Sequence, residues 1–442
     1  MFANFRYHIS APKTLAVFIF LFCALLLVFL SPTIFAAKIN KNNIQEIMMP
    51  QNIINKEENI YSFLSREDYR HKEKSIAKWW NGFITANNLI KDYFSSNHKS
   101  KLDLPRWMHE NLQAIDKNLM WEFYSGIKKK HRLVITSEGQ RDLELLIRKI
   151  LADAPELEEW EFYGYRLSEN INNVSNIIKE TKGWDEITDI NTIKFEISRN
   201  NLNRLDIVYY LPSIKNTENI SAYMFLLTTL VLGEEVVDKW IGYIDIKIAD
   251  KKSSANKDHA NISTLNLKVN EELKNIKNNL PTIPYFLASF NSWTVAKFNP
   301  KKQNEYLHRE DIESYALFSK EMLEPLLERN FFDSERFSRQ NEIFVYLKFN
   351  KKVGNTISQD LKSLSDTLDN HLRKINLGCV VGIATGLKYL YIDLALINKV
   401  TSIQEIQKII CSYNINNNFK LLFHDAVLTN ISIDICKPKP RD

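Results

Sequence analysis

One order of elements, strand, turn, strand, helix and strand, occurs three times along this chain, and it narrows the accessible folds more than any other feature of the sequence. It is read first over 119–167. Leu119-Met120-Trp121-Glu122-Phe123-Tyr124 is rich in residues that favour strands, Ser125-Gly126 breaks it, and His131-Arg132-Leu133-Val134-Ile135-Thr136 resumes it. Ser137, with Gln140 three residues on, has the spacing of a helix cap. Leu143, Leu146, Ile147 and Ile150 then recur at helical intervals until Ala154-Pro155. Trp160-Glu161-Phe162-Tyr163-Gly164-Tyr165 returns to a sheet. Such a unit buries one face of a helix on one face of a sheet, which predicts an α+β protein.

The order repeats over 193–248, with strands at Ile193–Ser198 and Leu205–Leu211, an apolar helix from Ile220 to Leu232 closed by Gly233, and an alternating strand from Lys239 to Ile248. It repeats again over 378–424: Gly378–Ala384 and Tyr389–Ile397 form a hairpin at Thr385-Gly386. Ser402 and Glu405 have capping-box spacing at the head of a helix running to Tyr413, and Phe419–His424 is the return strand. Before the first unit, helical patterns occupy 76–94 and 107–115. Between the second and third lie Phe286–Phe290, a run from Trp293 to Phe298, a helical stretch from Glu310 to about Glu328 with a kink expected at Pro325, a strand from Glu342 to Phe349, and a helix over Ser358–Ile375. With 442 residues the chain is too long for one ordinary domain. The expected plan is an N-terminal hydrophobic segment over 1–37, a polar tether over 38–75, and a first α+β domain over 76–250. A Lys- and Asn-rich linker over 251–284, with a short helix at Leu265–Leu280, leads to a second α+β domain over 285–437. Both domains are expected to be built from β-hairpin-α-β units, with helices packed on mainly antiparallel sheets.

The address is written at the N-terminus. Arg6 and Lys13 precede an unbroken apolar run from Leu15 to Leu30, and Ser31-Pro32-Thr33-Ile34-Phe35-Ala36-Ala37 follows. Read through Ala37 the segment reaches the ~20 residues that span a bilayer. Read as a charged start, an apolar middle and small residues near Ala36 and Ala37, it is a signal peptide, and the mature protein is periplasmic or secreted. The single-pass anchor is the preferred expectation, and with it a membrane partner. Lys38 and Lys41 balance Arg6 and Lys13, so charge leaves the orientation open. Cys23 lies in the apolar run. Of Cys379, Cys411 and Cys436, the first reads as a buried strand residue, and the last two are a candidate bridge.

In the first domain Trp80-Asn81-Gly82-Phe83, Leu133-Val134-Ile135-Thr136-Ser137-Glu138-Gly139, Ala154-Pro155-Glu156-Leu157-Glu158-Glu159-Trp160 and Asp206-Ile207-Val208-Tyr209-Tyr210-Leu211-Pro212 are landmarks. Through them 76–250 resembles an uncharacterised bacterial protein family. The second domain, through Val380-Val381-Gly382, Thr385-Gly386 and Tyr391-Ile392-Asp393-Leu394, is loosely similar to other small bacterial domains of unknown function. The resemblance implies a fold and a domain extent, and supplies no catalytic residue.

A search for chemistry returns little. With 11 glycines and no Gly-x-Gly-x-x-Gly or phosphate loop, no nucleotide is expected. The nine histidines form no metal-site spacing, so no metal and no cofactor are expected. A formal charge of +5 gives no basic surface, and Phe344, Tyr346 and Phe349 read as packing rather than as a base-stacking platform, so no nucleic acid is expected. Ser75-Ile76-Ala77-Lys78 has a Ser-x-x-Lys spacing without its companion motifs. His131, beside three lysines, reads as part of a solvated turn. Asp206, Asp245 and Asp393 sit inside apolar strands and by alternation point to the wet face. The expectation is a membrane-tethered or exported interaction module with a protein partner. The alternative is an enzyme whose site lies between the domains, built from those aspartates or from Tyr165 and Arg166.

Overall fold

A computed structural model describes residues 5–8, 66–95, 101–180, 189–212, 219–248, 259–289, 293–306, 308–318, 332–351, 357–412 and 419–436. The apolar run 15–30, the tether up to residue 65 and Pro325 lie outside the described residues. These residues are α+β, and they divide into two compact units, one holding 5–8, 66–200 and 204–274, the other 201–203 and 275–436.

The first unit opens with α1 (Arg66–Ser95) and α2 (Leu104–Leu112). Ile76, Trp79, Trp80, Phe83 and Ile90 recur at helical spacing on α1 and are all buried. Asp103 caps α2, accepting the Arg106 N–H at 3.3 Å, and Pro105 occupies its first turn. Both helices pack on a three-stranded sheet of β2 (Met120–Ser125), β3 (His131–Thr136) and β4 (Trp160–Tyr163), with Trp121, Phe123, Trp160 and Phe162 in the shared core. Strands β2 and β3 are antiparallel, whereas β4 returns parallel to β3 after α3 (Glu144–Ala152). A second helix, α4 (Ile171–Glu180), stands where the sequence suggested only a polar connection. Its Val174, Ile177 and Ile178 are buried at helical spacing, a period interleaved with asparagines that made the stretch read as a connection.

The second sheet of this unit has the order β1 (Phe5–His8), β7 (Ile241–Ile248), β6 (Leu205–Leu211), β5 (Lys194–Arg199), β8 (Ala260–Asn261). It repeats the design of the first: β5 and β6 are antiparallel, and β7 runs parallel to β6 after α5 (Ile220–Leu232) and α6 (Glu234–Trp240). The return strand begins at Ile241, not Lys239, because Glu234 to Trp240 continue as a helix past the bend at Gly233. Helix α7 (Leu265–Asn279) belongs to this unit as far as Lys274. Among the described residues no single helix is long and apolar enough to cross a membrane.

The other unit is built on one seven-stranded sheet, β15 (Ser432–Asp434), β14 (Lys420–Phe423), β11 (Ile343–Asn350), β13 (Tyr389–Leu396), β12 (Gly378–Gly386), β10 (Ile312–Leu317), β9 (Thr294–Lys297), antiparallel throughout. Helices α8 (Ile357–Lys374) and α9 (Lys399–Ser412) carry buried leucines and isoleucines at helical spacing. Here the return strand β14 pairs with β11 instead of its own hairpin. Cys411, on α9, forms a disulfide with Cys436, whose Cα lies 5.6 Å away, and Cys379 is a buried free thiol.

The helix expected from Glu310 is, over Ile312–Leu317, a strand. A bulge between Ile312 and Ser314 adds one residue to the strand, so that Ile312 and Tyr315 both reach the core three positions apart and imitate a helical interval. Neither expected capping box forms. Ser402 lies inside α9, its hydroxyl donating to the carbonyls of Leu377 and Ile397, while Asn398 accepts the Thr401 N–H. Ser137 gives way to a turn with Glu138 at φ 49° and Gly139 at φ 77°, so the helical chain begins at Arg141.

Candidate functional site

The carboxyl ends of the parallel strands β3 and β4 are where an α/β arrangement ordinarily presents its functional groups. In the first unit these ends hold a buried centre around Arg166. Glu122 comes from β2, where Trp121 and Phe123 take the core face and leave Glu122 and Tyr124 on the other. Glu138 comes from the left-handed turn after β3, and Arg166 from the chain beyond β4. Gly233 brings Glu234 to the same place: at φ 87° it ends α5 and comes within 3.3 Å, measured from the position of a Cβ, of the Arg166 carbonyl, so a side chain there would meet the 166–168 backbone. The Glu234 N–H then donates to that carbonyl at 2.9 Å.

Arg166 binds Glu122 in two-pronged fashion, Nε and one terminal nitrogen each at 2.8 Å from a carboxylate oxygen. It also donates to Glu138, and its own N–H donates to Glu234 at 3.1 Å. The second oxygen of Glu234 accepts the Thr136 hydroxyl, and the Tyr124 hydroxyl donates to Glu122 at 2.6 Å. Arg132 lies 4.6 Å above the Tyr124 ring and pairs with Glu169. Burial would raise the carboxyls of Glu122 and Glu138, but Arg166 outweighs it at Glu122, whose carboxyl lies below the usual range. At Glu138 burial prevails, reinforced by Glu234 and Glu122, and the carboxyl is raised. Three carboxylates thus surround one guanidinium, and Glu122 and Glu138 are shifted in opposite directions.

A neighbouring layer holds Arg141, Glu144 and Asp238. The Tyr165 hydroxyl donates to Glu144, and Arg141 stands 3.6 Å from Glu144 and 4.0 Å from Asp238. Burial, with Glu234 and Glu144 nearby, pushes the Asp238 carboxyl up to about 7 against the pull of Arg141.

In the second unit the corresponding feature is Arg309. Its terminal nitrogen donates to Asp393 at 3.1 Å, and its guanidinium lies over the rings of Tyr315, Tyr346 and Tyr391 at 4.7, 5.1 and 5.4 Å. His424 Nε2 is 3.2 Å from the other Asp393 oxygen. Burial opposes ionisation of Asp393, yet Arg309, His424 and Tyr315 hold its carboxyl down to about 2. His424 is lowered by its burial despite Asp393, which keeps the imidazole neutral near pH 7. Two glycines of β12 make the room: a Cβ at Gly382 would stand 2.6 Å from Asp393, and one at Gly386 2.3 Å from Asp311, which accepts the N–H groups of Lys388 and Tyr389 at 2.9 Å each.

Of the aspartates singled out from the sequence, Asp393 faces the core and not solvent, because Arg309 is there to receive it. Asp206 is half-buried in the first unit and accepts from Asn200 and the Tyr243 N–H, both at 3.0 Å. Asp245, also half-buried there, accepts the N–H of Ile246 at 3.0 Å. The two first-unit aspartates and Asp393 each answer to local partners. His131 is not in a solvated turn: it is 6% exposed on β3, between the rings of Phe94 and Trp160. Ser75 and Lys78 lie on α1, and Phe344, Tyr346 and Phe349 are buried. Among the described residues no group of three or more His, Cys, Asp or Glu is arranged to hold a metal ion.

Comparison with protein-family models, with curated proteins and with solved structures returned no match.

Proposed function

We propose that this chain is a membrane-tethered or exported interaction module without catalytic activity. The observation that carries the reading is how three of its buried carboxylates are used: both oxygens of Glu122, Glu234 and Asp393 accept hydrogen bonds from groups of their own unit. Buried ionic groups closed on one another in this way order a scaffold rather than wait for a substrate. The compartment draws support from the Cys411–Cys436 disulfide, a bond that persists in oxidising surroundings, together with the apolar run 15–30. The anchor is retained, and the body lies outside the cytoplasm. Kinship of 76–250 with the bacterial family that its landmarks resemble belongs to the same reading.

The test is fractionation of cells producing the full chain, with N-terminal sequencing and thiol labelling. Membrane association, an intact N-terminus, and labelling of Cys411 and Cys436 only after reduction are expected. A soluble cytoplasmic chain whose two thiols label without reductant refutes the address. Repeated affinity capture that recovers no partner refutes the interaction role.

A further inference from the structure

Among the described residues, the seven-stranded sheet of the second unit ends in two unlike edges. At one, β15 is three residues long and is followed closely by Cys436, whose disulfide ties it to α9. At the other, β9 and the residue before it present apolar side chains: Val295 is 61% exposed and Trp293, just ahead of the strand, 41%, and Lys297 is exposed beside them. The hydrogen-bond phase of β9 is set by its partner. Lys297 stands opposite Ser314 and Thr294 opposite Leu317, and the Phe298 N–H donates to the Glu313 carbonyl at 2.9 Å. By the alternation of an antiparallel ladder, Thr294, Ala296 and Phe298 turn their main-chain groups toward β10. Trp293, Val295 and Lys297 therefore direct theirs outward. The Phe318 N–H, donating to Val381 on β12, has the phase this assignment requires.

We propose that β9 pairs antiparallel with β9 of a second copy of this chain, about a twofold axis at Val295. The occupant follows from the residues of the edge. A twofold axis through Val295 sets Val295 against Val295 and Trp293 against Lys297, twice. The ammonium of each copy then lies against the indole of the other, a cation on an aromatic face. All three outward residues meet outward residues, so every main-chain group at the junction gains a partner. A lysine on an edge strand ordinarily discourages pairing. In this register it contributes to it, and the aromatic, branched and cationic order Trp293, Val295, Lys297 is its own complement, as a twofold interface demands. The inference concerns this edge alone and holds whether or not the chain binds another protein.

The experiment uses the full chain in a Cys23→Ser background, in the membranes or medium where it accumulates. Directly opposed residues in a hydrogen-bonded pair have Cα atoms ~5.5 Å apart, inside the range a disulfide spans. Val295→Cys is expected to give a covalent dimer on a non-reducing gel, at least tenfold above the exposed control Lys301→Cys. Val295→Pro removes only an outward N–H, which an edge strand tolerates, and is expected to abolish dimer in sedimentation of the purified chain. Trp293→Ser, which leaves the backbone intact, is expected to weaken the dimer about tenfold through loss of two cation–aromatic contacts. A wild-type chain that sediments as monomer, a Val295→Cys chain that does not cross-link above the control, or a dimer unaffected by Val295→Pro and Trp293→Ser overturns the proposal.

Discussion

Replacing Asp393 by asparagine keeps the shape of the side chain and removes its charge, leaving Arg309 buried beside His424 and three tyrosines. The cost can be worked from the carboxyl itself. Its value falls from 3.8 to about 2 in the folded chain. At ~1.36 kcal/mol for each tenfold, that difference gives roughly 2–3 kcal/mol of stabilisation from ionisation. Arg309, 5% exposed at its side chain, then lacks its carboxylate, and breaking a buried pair on one side costs ~3–5 kcal/mol in other proteins. Asp393→Asn is therefore expected to lose about 3 kcal/mol at pH 7. The sign of the pH dependence follows from a lowered carboxyl: the stabilisation is full above about pH 4 and disappears as pH falls through about 2. Hydrogen exchange of peptides spanning β10 to β13, followed by mass spectrometry across a urea series, reads this unit separately. Wild type and variant should differ at pH 7 and converge near pH 2. Arg309→Met in the asparagine background should recover part of the loss, because no orphaned cation remains. A variant as stable as wild type at pH 7, or a difference that does not change with pH, refutes the reasoning.

The other perturbations act on neighbouring features. Gly382→Ala and Gly386→Ala drive a methyl into the Asp393 and Asp311 carboxylates, and each should cost about 1–3 kcal/mol by the same exchange measurement. In the first unit Arg166→Met strands three carboxylates and should cost about 3–5 kcal/mol, whereas Glu138→Gln, which removes the carboxylate already pushed up, should be neutral or stabilising in thermal melts. A raised Asp238 carboxyl lowers stability as pH rises from about 4 to about 7, so Asp238→Asn should flatten the stability profile across that window and gain on wild type toward pH 8. Removing the disulfide with Cys411→Ala and Cys436→Ala, which opens a loop of 25 residues, should cost about 3 kcal/mol, with faster exchange in β14, β15 and α9.

The α+β class and most strands and helices were legible in local pattern. The helix of 76–94 and the hairpin at Ser125-Gly126 announce themselves through spacing and turn chemistry, which act over a few residues. Ile312 to Leu317 did not, since a bulge is defined only by the strand it pairs with, and Tyr315 three residues after Ile312 has the interval of a helix. The capping boxes failed for a related reason. Ser402 found two carbonyls brought to it by the start and end of the β12–β13 hairpin, and those took its hydroxyl from the capping role.

The charged centres divide the same way. Arg166 drew notice in the sequence, but Glu122 lies 44 residues from it and Glu234 68, and no local signal ties those numbers together. Arg309 and Asp393 are 84 apart, and alternation alone put Asp393 on the wet side. Periodicity and turn residues are properties of neighbours along the chain, so the sequence alone determined the α+β class and most of the elements, and the apolar start raised only an expectation of address. Whether a carboxylate is buried, paired or raised depends on which distant strand is folded against it. That was settled by β2, β3 and α6 closing around Arg166, and by the glycines of β12 leaving room beside Arg309.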